Sequence, residues 1–391
     1  MKRFIVILMF LVCFIQCTTE RPEIPSAGIV IENDLTCYAL SIRNDFYPNL
    51  TTKSVENRNQ QFQYINNDLD TIATVIDFGE NEGFVILANG NNMPLAIAGE
   101  GCFNEYMNNP GMRSLIVESL SQPTSFDPTI PTSTMTIPVS VLSDTLMPPM
   151  VSVRWHQRAP FGMLAPNYLA GCTPIAIAQV MSYYKFPNSL NLTYPDAPTP
   201  LVTFDWNAII NHTGDHGYNC NICLQCAYML REIGHICQAT YDATATGAWP
   251  RVAFLNSLGY SGTQYANYSF SSIIESLNHQ HPCIISSFND EVGHTWVIDG
   301  YYEKTTISNT YRVAGLAREL IEVTKDIDTY LHFNYGWGTG SDIFILSNRI
   351  RHSSHEAFTG DGDVISNPIT MFNDRYNNVK MLVTDVKPII E

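Results

Sequence analysis

Cys172 and His294 are the two residues whose types and settings suit a shared chemistry, attack by a thiol with an imidazole handling the proton. Cys172 follows Gly171 and precedes Thr173–Lys185, where Ile175, Ala178, Val180, Met181 and Tyr184 recur at roughly helical spacing. Pro174 suits the first turn of such a helix, because its missing N–H removes no bond there. A cysteine at a helix start meets unpaired backbone N–H groups and the positive end of the helix dipole, and both lower a thiol pKa. Its own N–H would be one donor toward the oxyanion of an acyl-transfer intermediate. Most cysteines are buried and inert, so position alone leaves that reading open.

His294 lies in Gly293-His294-Thr295-Trp296-Val297-Ile298-Asp299-Gly300, where it opens an apolar strand, and Gly293 before it leaves room for a substrate backbone. A satisfied core or edge histidine is the plainer alternative. Further on, Phe333-Asn334-Tyr335-Gly336-Trp337-Gly338 crowds glycines and aromatics at a strand end. Asn334 or Trp337 is a candidate to hold an imidazole in one orientation, the third role of a nucleophilic triad, and the alternative there is a glycine-rich hairpin with packing aromatics.

A second constellation has ligand chemistry instead. His212, His216, Cys220, Cys223 and Cys226 are spaced H-x3-H-x3-C-x2-C-x2-C, and thiolates with imidazoles suit zinc. Cysteines at every third residue drift around a helix, so they converge on one ion only if the helix begins among them. The balance is against zinc, and the reaction inferred from Cys172 and His294 implies no metal or cofactor.

These residues need elements to position them. Thr71–Phe78 and Gly83–Ala88 read as strands joined by Gly79-Glu80-Asn81-Glu82, and Met93–Ala98 as a further edge strand, since Pro94 suits an edge or a strand start. Arg113–Ser121 reads as helix. The Pro-, Ser- and Thr-rich stretch from Gln122 to Pro149 reads as an exposed linker of the kind proteases nick. Beyond it, Cys223–Ile233 and Trp249–Leu258 read as helices, with Gly234 and Gly259 at their ends. Cys283–Phe288, Thr295–Tyr302, Tyr330–Tyr335 and Asp342–Leu346 read as strands, with Tyr302–Thr329 a solvated insert between two of them. Helices first and sheet second predict an α+β domain.

The chain has 391 residues, 45% hydrophobic and 15% charged, with a formal net charge of −16. Its length allows more than one domain, and its charge argues against nucleic acid, which requires a basic face. Lys2 and Arg3 precede an apolar run from Phe4 to Ile15, an export-signal pattern too short for a membrane span. Cys17, followed by Thr18, Thr19 and Glu20, is a candidate lipid anchor, although Phe14-Ile15-Gln16 lacks the small residues such a site prefers. The expected location is therefore exported, as a secreted protein or a surface or outer-membrane lipoprotein of a bacterium.

Taken together, Gly171–Met181, Gly293–Gly300 and Asn334–Gly338 resemble the cysteine helix, histidine strand and tryptophan motif of streptopain-like cysteine peptidases. Phe204-Asp205-Trp206-Asn207, Tyr241–Ala248 and Trp155-His156-Gln157 resemble further landmarks in the same order, and Gly83–Ala98 resembles the family's inhibitory pro-domain. The resemblance implies a papain-like peptidase of two subdomains, a helical half and an antiparallel β half, preceded by an α+β pro-domain. It divides the chain into a signal at 1–17, a pro-domain at 18–121, a cleavable linker at 122–150 and a peptidase domain at 151–391. It implies an endopeptidase zymogen with Cys172 as nucleophile and His294 as acid–base. Asn334, Tyr335, Trp337 and Gln157 would support them, and Gly293, Thr246 and Gly247 would touch substrate. The implied partners are polypeptide substrates and the chain's own pro-domain. Tyr335 and Thr339 depart from the family pattern, and Pro166-Asn167 stand where an oxyanion-hole glutamine is usual, so Asn167 or Gln157 is left to substitute. These departures keep a rival open, a catalytically impaired relative acting as a binding or inhibitory module.

Overall fold

The computed structural model describes residues 32–48, 60–65, 71–79, 81–88, 93–108, 134–212, 219–241, 246–247, 250–288, 293–314, 317–338, 342–354 and 379–389. The export signal, Cys17, the helix expected at Arg113–Ser121 and the first part of the expected linker fall outside them.

In chain order the amino-terminal elements are α1 (Glu32–Phe46), β1 (Gln60–Ile65), β2 (Thr71–Asp77), β3 (Phe84–Ala88), β4 (Pro94–Ala98), α2 (Phe103–Asn108) and β5 (Thr134–Met147). Then follow α3 (Cys172–Tyr184), β6 (Ser189–Asn191), β7 (Leu201–Thr203), α4 (Trp206–Ile210), α5 (Asn221–Ile236), β8 (Thr240–Tyr241), β9 (Thr246–Gly247) and α6 (Val252–Ser257). The chain continues through β10 (Tyr260–Tyr265), α7 (Phe270–Asn278), β11 (Cys283–Phe288), β12 (Gly293–Ala314), β13 (Ala317–Asn334), β14 (Asp342–Ser354) and β15 (Val379–Pro388). Helices and antiparallel strands mix as expected for an α+β protein.

One sheet organises the molecule. Its order is β1-β2-β3-β4-β14-β13-β12-β11-β15-β10, with β5 pairing β12 off that path. Strand alternation sends neighbouring residues to opposite faces. Trp296, Ile298, Ile285 and Leu382 enter a core that also holds Leu35, Ile42 and Phe46 of α1. Val297, Ile284 and Val383 enter a second core built on Ile175, Ala178 and Met181 of α3 and Met229, Leu230 and Ile233 of α5. The helix that begins at Cys172 is therefore pressed onto one face of the strand that begins at Gly293.

Four differences from the sequence reading have physical causes. The expected linker forms β5 over Thr134–Met147, because its β-branched residues find a long partner in β12, with Tyr301 opposite Met147 and Arg312 opposite Thr134. The expected insert is a continuation of β12 and β13 as one hairpin, from Val297 opposite Asn334 to Ala314 opposite Ala317. β4 is internal to the sheet: Ala98 pairs both Phe84 and Ile343, and Pro94 is tolerated because it opens the strand. Gly234 lies inside α5, where a Cβ would meet the Tyr241 hydroxyl at 2.3 Å, so close packing rather than termination explains it. Among the described residues, no helix is long and apolar enough to cross a membrane.

Candidate active site

Cys172 is the first residue of α3, and Gly171 before it has φ 94°, a left-handed value that favours glycine. No side chain caps this helix, so its first N–H groups remain available. The helix is buried from Thr173 to Ser182, apolar nearly all round, as suits an element between other layers. Thr173 Oγ1 lies 2.8 Å from Thr295 Oγ1, which lies 2.6 Å from Ser286 Oγ, and this hydroxyl chain pins the helix start to β12 and β11. Thr295 directly follows His294, so the pinning brings the thiol-bearing helix end to the histidine strand.

Cys172 is half-buried, and burial pushes its thiol pKa up. The Thr295 N–H and hydroxyl and the N–H groups of Thr173 and Cys172 act in the opposite direction, because each would stabilise a thiolate. His294 is 7% exposed, and burial lowers its imidazole pKa to about 3. Its Nε2 lies 2.9 Å from the main-chain oxygen of Tyr335. A carbonyl only accepts, so Nε2 carries the proton of the neutral ring and Nδ1 keeps the lone pair. Trp337 stacks on the ring at 4.0 Å between centroids and 22° between planes, and Tyr335 stacks in turn on Trp337 at 5.7 Å and 14°. Desolvation thus acts on both groups in the direction of a neutral thiol and a neutral imidazole.

Asn334 sits beside this arrangement with its side chain turned to other partners. Its Oδ1 accepts from Gln179 Nε2 at 2.7 Å and from the Gly336 N–H at 3.2 Å, while its Nδ2 donates to Val153 O at 3.0 Å. The acceptor on His294 is the neighbouring backbone, and Asn334 shapes the turn that presents it. Gly336 has φ 70°, and a Cβ there would meet Ile175 Cγ2 at 2.6 Å, so the turn packs directly on α3. Trp155 closes the group, its carbonyl accepting from the Gly338 N–H at 3.0 Å.

Gln157 is half-buried, and its carbonyl accepts from the Ala170 N–H at 2.8 Å, two residues before the cysteine. Asn167 Oδ1 accepts from the Leu169 N–H at 3.0 Å in a local turn. Gly293 pairs with Phe288 at the mouth of β12. Thr246 and Gly247 form β9, paired with Tyr241 and Thr240 of β8. Sequence reasoning missed the Tyr335 carbonyl, which has no side-chain signature, and Thr295. Gln179, a polar residue within an apolar helix, was the one legible sign of a buried hydrogen-bond network.

Residues 155–344 match the family model described as the Peptidase C10 family, a span that contains Cys172, His294 and Asn334–Gly338. No curated protein matches the chain.

Proposed function

We propose, from the premise that residues 155–344 make this a streptopain-like cysteine peptidase, that the chain is the exported zymogen of an endopeptidase with a Cys172–His294 dyad. The observation that carries the reading is the hold on His294. Its Nε2 proton is committed to the Tyr335 carbonyl and its face to Trp337, which leaves Nδ1 as the nitrogen that exchanges a proton with the thiol.

In this mechanism Nδ1 takes the Cys172 proton as sulfur attacks the scissile carbonyl carbon. The Cys172 N–H and Gln157 stabilise the oxyanion. The C–N bond then breaks, the imidazolium gives its proton to the leaving amine, and a thioester remains. Nδ1 next deprotonates a water that attacks the thioester, and the expelled thiolate regains that proton. Tyr335, Trp337 and Asn334 position the imidazole, directly or through the turn. Gly293, Thr246 and Gly247 border the bound polypeptide, with preference for a bulky apolar residue two positions before the cut.

The papain-like division into a helical and a β half, the inhibitory role of the amino-terminal segment, and export with or without a lipid on Cys17 belong to the same reading. β5 is paired into the sheet, so the maturation cut falls before Thr134 rather than within it. Incubation of purified full chain tests this. The wild type cleaves itself between about residue 122 and Thr134, and Cys172→Ala stays intact. Peptidase activity retained by Cys172→Ala would remove Cys172 as nucleophile.

A further inference from the structure

Away from the dyad, the start of α5 collects soft metal-ligand side chains. His212 Nε2 lies 3.3 Å from Cys223 Sγ and 3.8 Å from Cys220 Sγ, and the three ligand atoms lie within 4.8 Å of one another. Zinc bonds of about 2.0 Å to nitrogen and about 2.3 Å to sulfur, at a tetrahedral angle, set N and S about 3.5 Å apart. The two observed separations bracket that edge.

We propose that His212, Cys220 and Cys223 form a structural zinc-class site that clamps the start of α5 to the chain leaving α4. Zinc is the class because two thiolates and an imidazole are soft-to-borderline donors, poorly suited to calcium or magnesium. These three donors occupy three corners of the tetrahedron, and a fourth donor completes it.

The local fold explains why these residues converge. α5 begins at Asn221, so Cys220 is its N-cap and lies off the helix, free of the rotation that separates cysteines along a helical face. The Cys223 N–H donates to Cys220 Sγ at 3.3 Å, the kind of outer hydrogen bond that orients a metal-ligating thiolate. Cys226, one turn on, is outside the group. Packing supplies a reason for a staple here. Cys223 belongs to a small satellite cluster with Met163 and Ala227, apart from both main cores, and Met163 lies on the loop that leads to Cys172. Among the described residues this cluster is small, and a metal bridge adds a further constraint to it.

The alternative chemistry for Cys220 and Cys223 is a disulfide, but that bond gives His212 no role. Full chain carrying Cys172→Ala, which cannot cut itself, is the protein to test, and the site is independent of the dyad. After exposure to Zn2+ under reducing conditions and desalting, it retains about one metal ion per chain, and Co2+ in its place gives thiolate charge-transfer absorption. His212→Ala and Cys220→Ser each weaken metal affinity by about tenfold or more. A chelator lowers Tm in the parent and added Zn2+ restores it, a readout that does not depend on either variant folding. Absence of bound metal in the parent, or a Cys220–Cys223 disulfide in freshly exported protein, overturns the proposal.

Discussion

His294 holds one proton on Nε2 and sits where a second is strongly disfavoured, because burial lowers its pKa from 6.5 to about 3. Between those values the folded chain binds fewer protons than the unfolded chain, so stability rises with pH across the window. The contribution is intact above about pH 6.5 and is lost as pH falls toward 3. Denaturant melts of Cys172→Ala and of Cys172→Ala/His294→Gln from pH 7 to 4 measure it. The parent loses up to ~1.4 kcal/mol per pH unit more than the double variant, and parallel pH profiles would contradict the burial argument. The same desolvation raises the Cys172 thiol pKa, which lowers the share of the thiol present as thiolate.

Among the elements, the turn after β13 carries the most consequence for the site. Asn334 is fully buried and joins Gln179 of α3, Val153 O and the Gly336 N–H. Replacing it with Ala strands these partners in an apolar setting, at a cost of about 2–4 kcal/mol. It also loosens the Tyr335 carbonyl, so under the proposed function kcat of the peptidase falls while KM changes little. Urea melts and steady-state kinetics of Asn334→Ala check both. Unchanged stability would show that the network is not structural, and a pure KM effect would place Asn334 in substrate binding instead. The sequence offered Asn334 as a candidate to hold the imidazole, and its side-chain partners, Gln179, Val153 O and the Gly336 N–H, were not legible there. A side chain's type says what bonds it can make, and only the fold decides which groups stand within reach. The strands β10 and β15 escaped sequence reading because pairing such as Ile284 with Val383 places β15 in the sheet, whereas α7 carries a readable helical pattern, with Ser269 as its N-cap and Ile273 and Leu277 buried one turn apart.

Across the whole molecule, the amino-terminal segment shares the sheet and core of the rest. β4 pairs β14 through Ala96–Ile345, Ile97–Phe344 and Ala98–Ile343. Phe46 of α1 packs on Tyr302, Tyr330 and Phe344 at centroid distances of 4.3, 4.9 and 5.1 Å. Tyr106 donates to Asp342 O at 3.0 Å and Tyr330 to Pro94 O at 3.2 Å, while Arg154 Nε lies 3.9 Å from Glu100 Oε2. A cut before Thr134 therefore does not free the segment. Limited proteolysis of Cys172→Ala followed by gel filtration yields a nicked complex that elutes as one species, and Phe46→Ala releases the fragment at lower denaturant. Losing that ring from a buried site weakens the seam by about 3–5 kcal/mol. Immediate separation of the nicked pieces without denaturant would show that the shared sheet does not hold them.

The sequence by itself determined the chemistry on offer: a cysteine at a helix start, a histidine at a strand start, an aromatic turn and an α+β alternation of elements. Those features are local, written in residue type and spacing. Tertiary structure alone decided which groups meet. It assigned the imidazole proton to a backbone carbonyl, turned Asn334 toward Gln179, drew the linker into the sheet as β5 and gathered His212 with Cys220 and Cys223. Each outcome depends on contacts between residues far apart in the chain or on where a helix begins. Hydrogen bonds and burial act on distance in space, which spacing along a sequence does not encode.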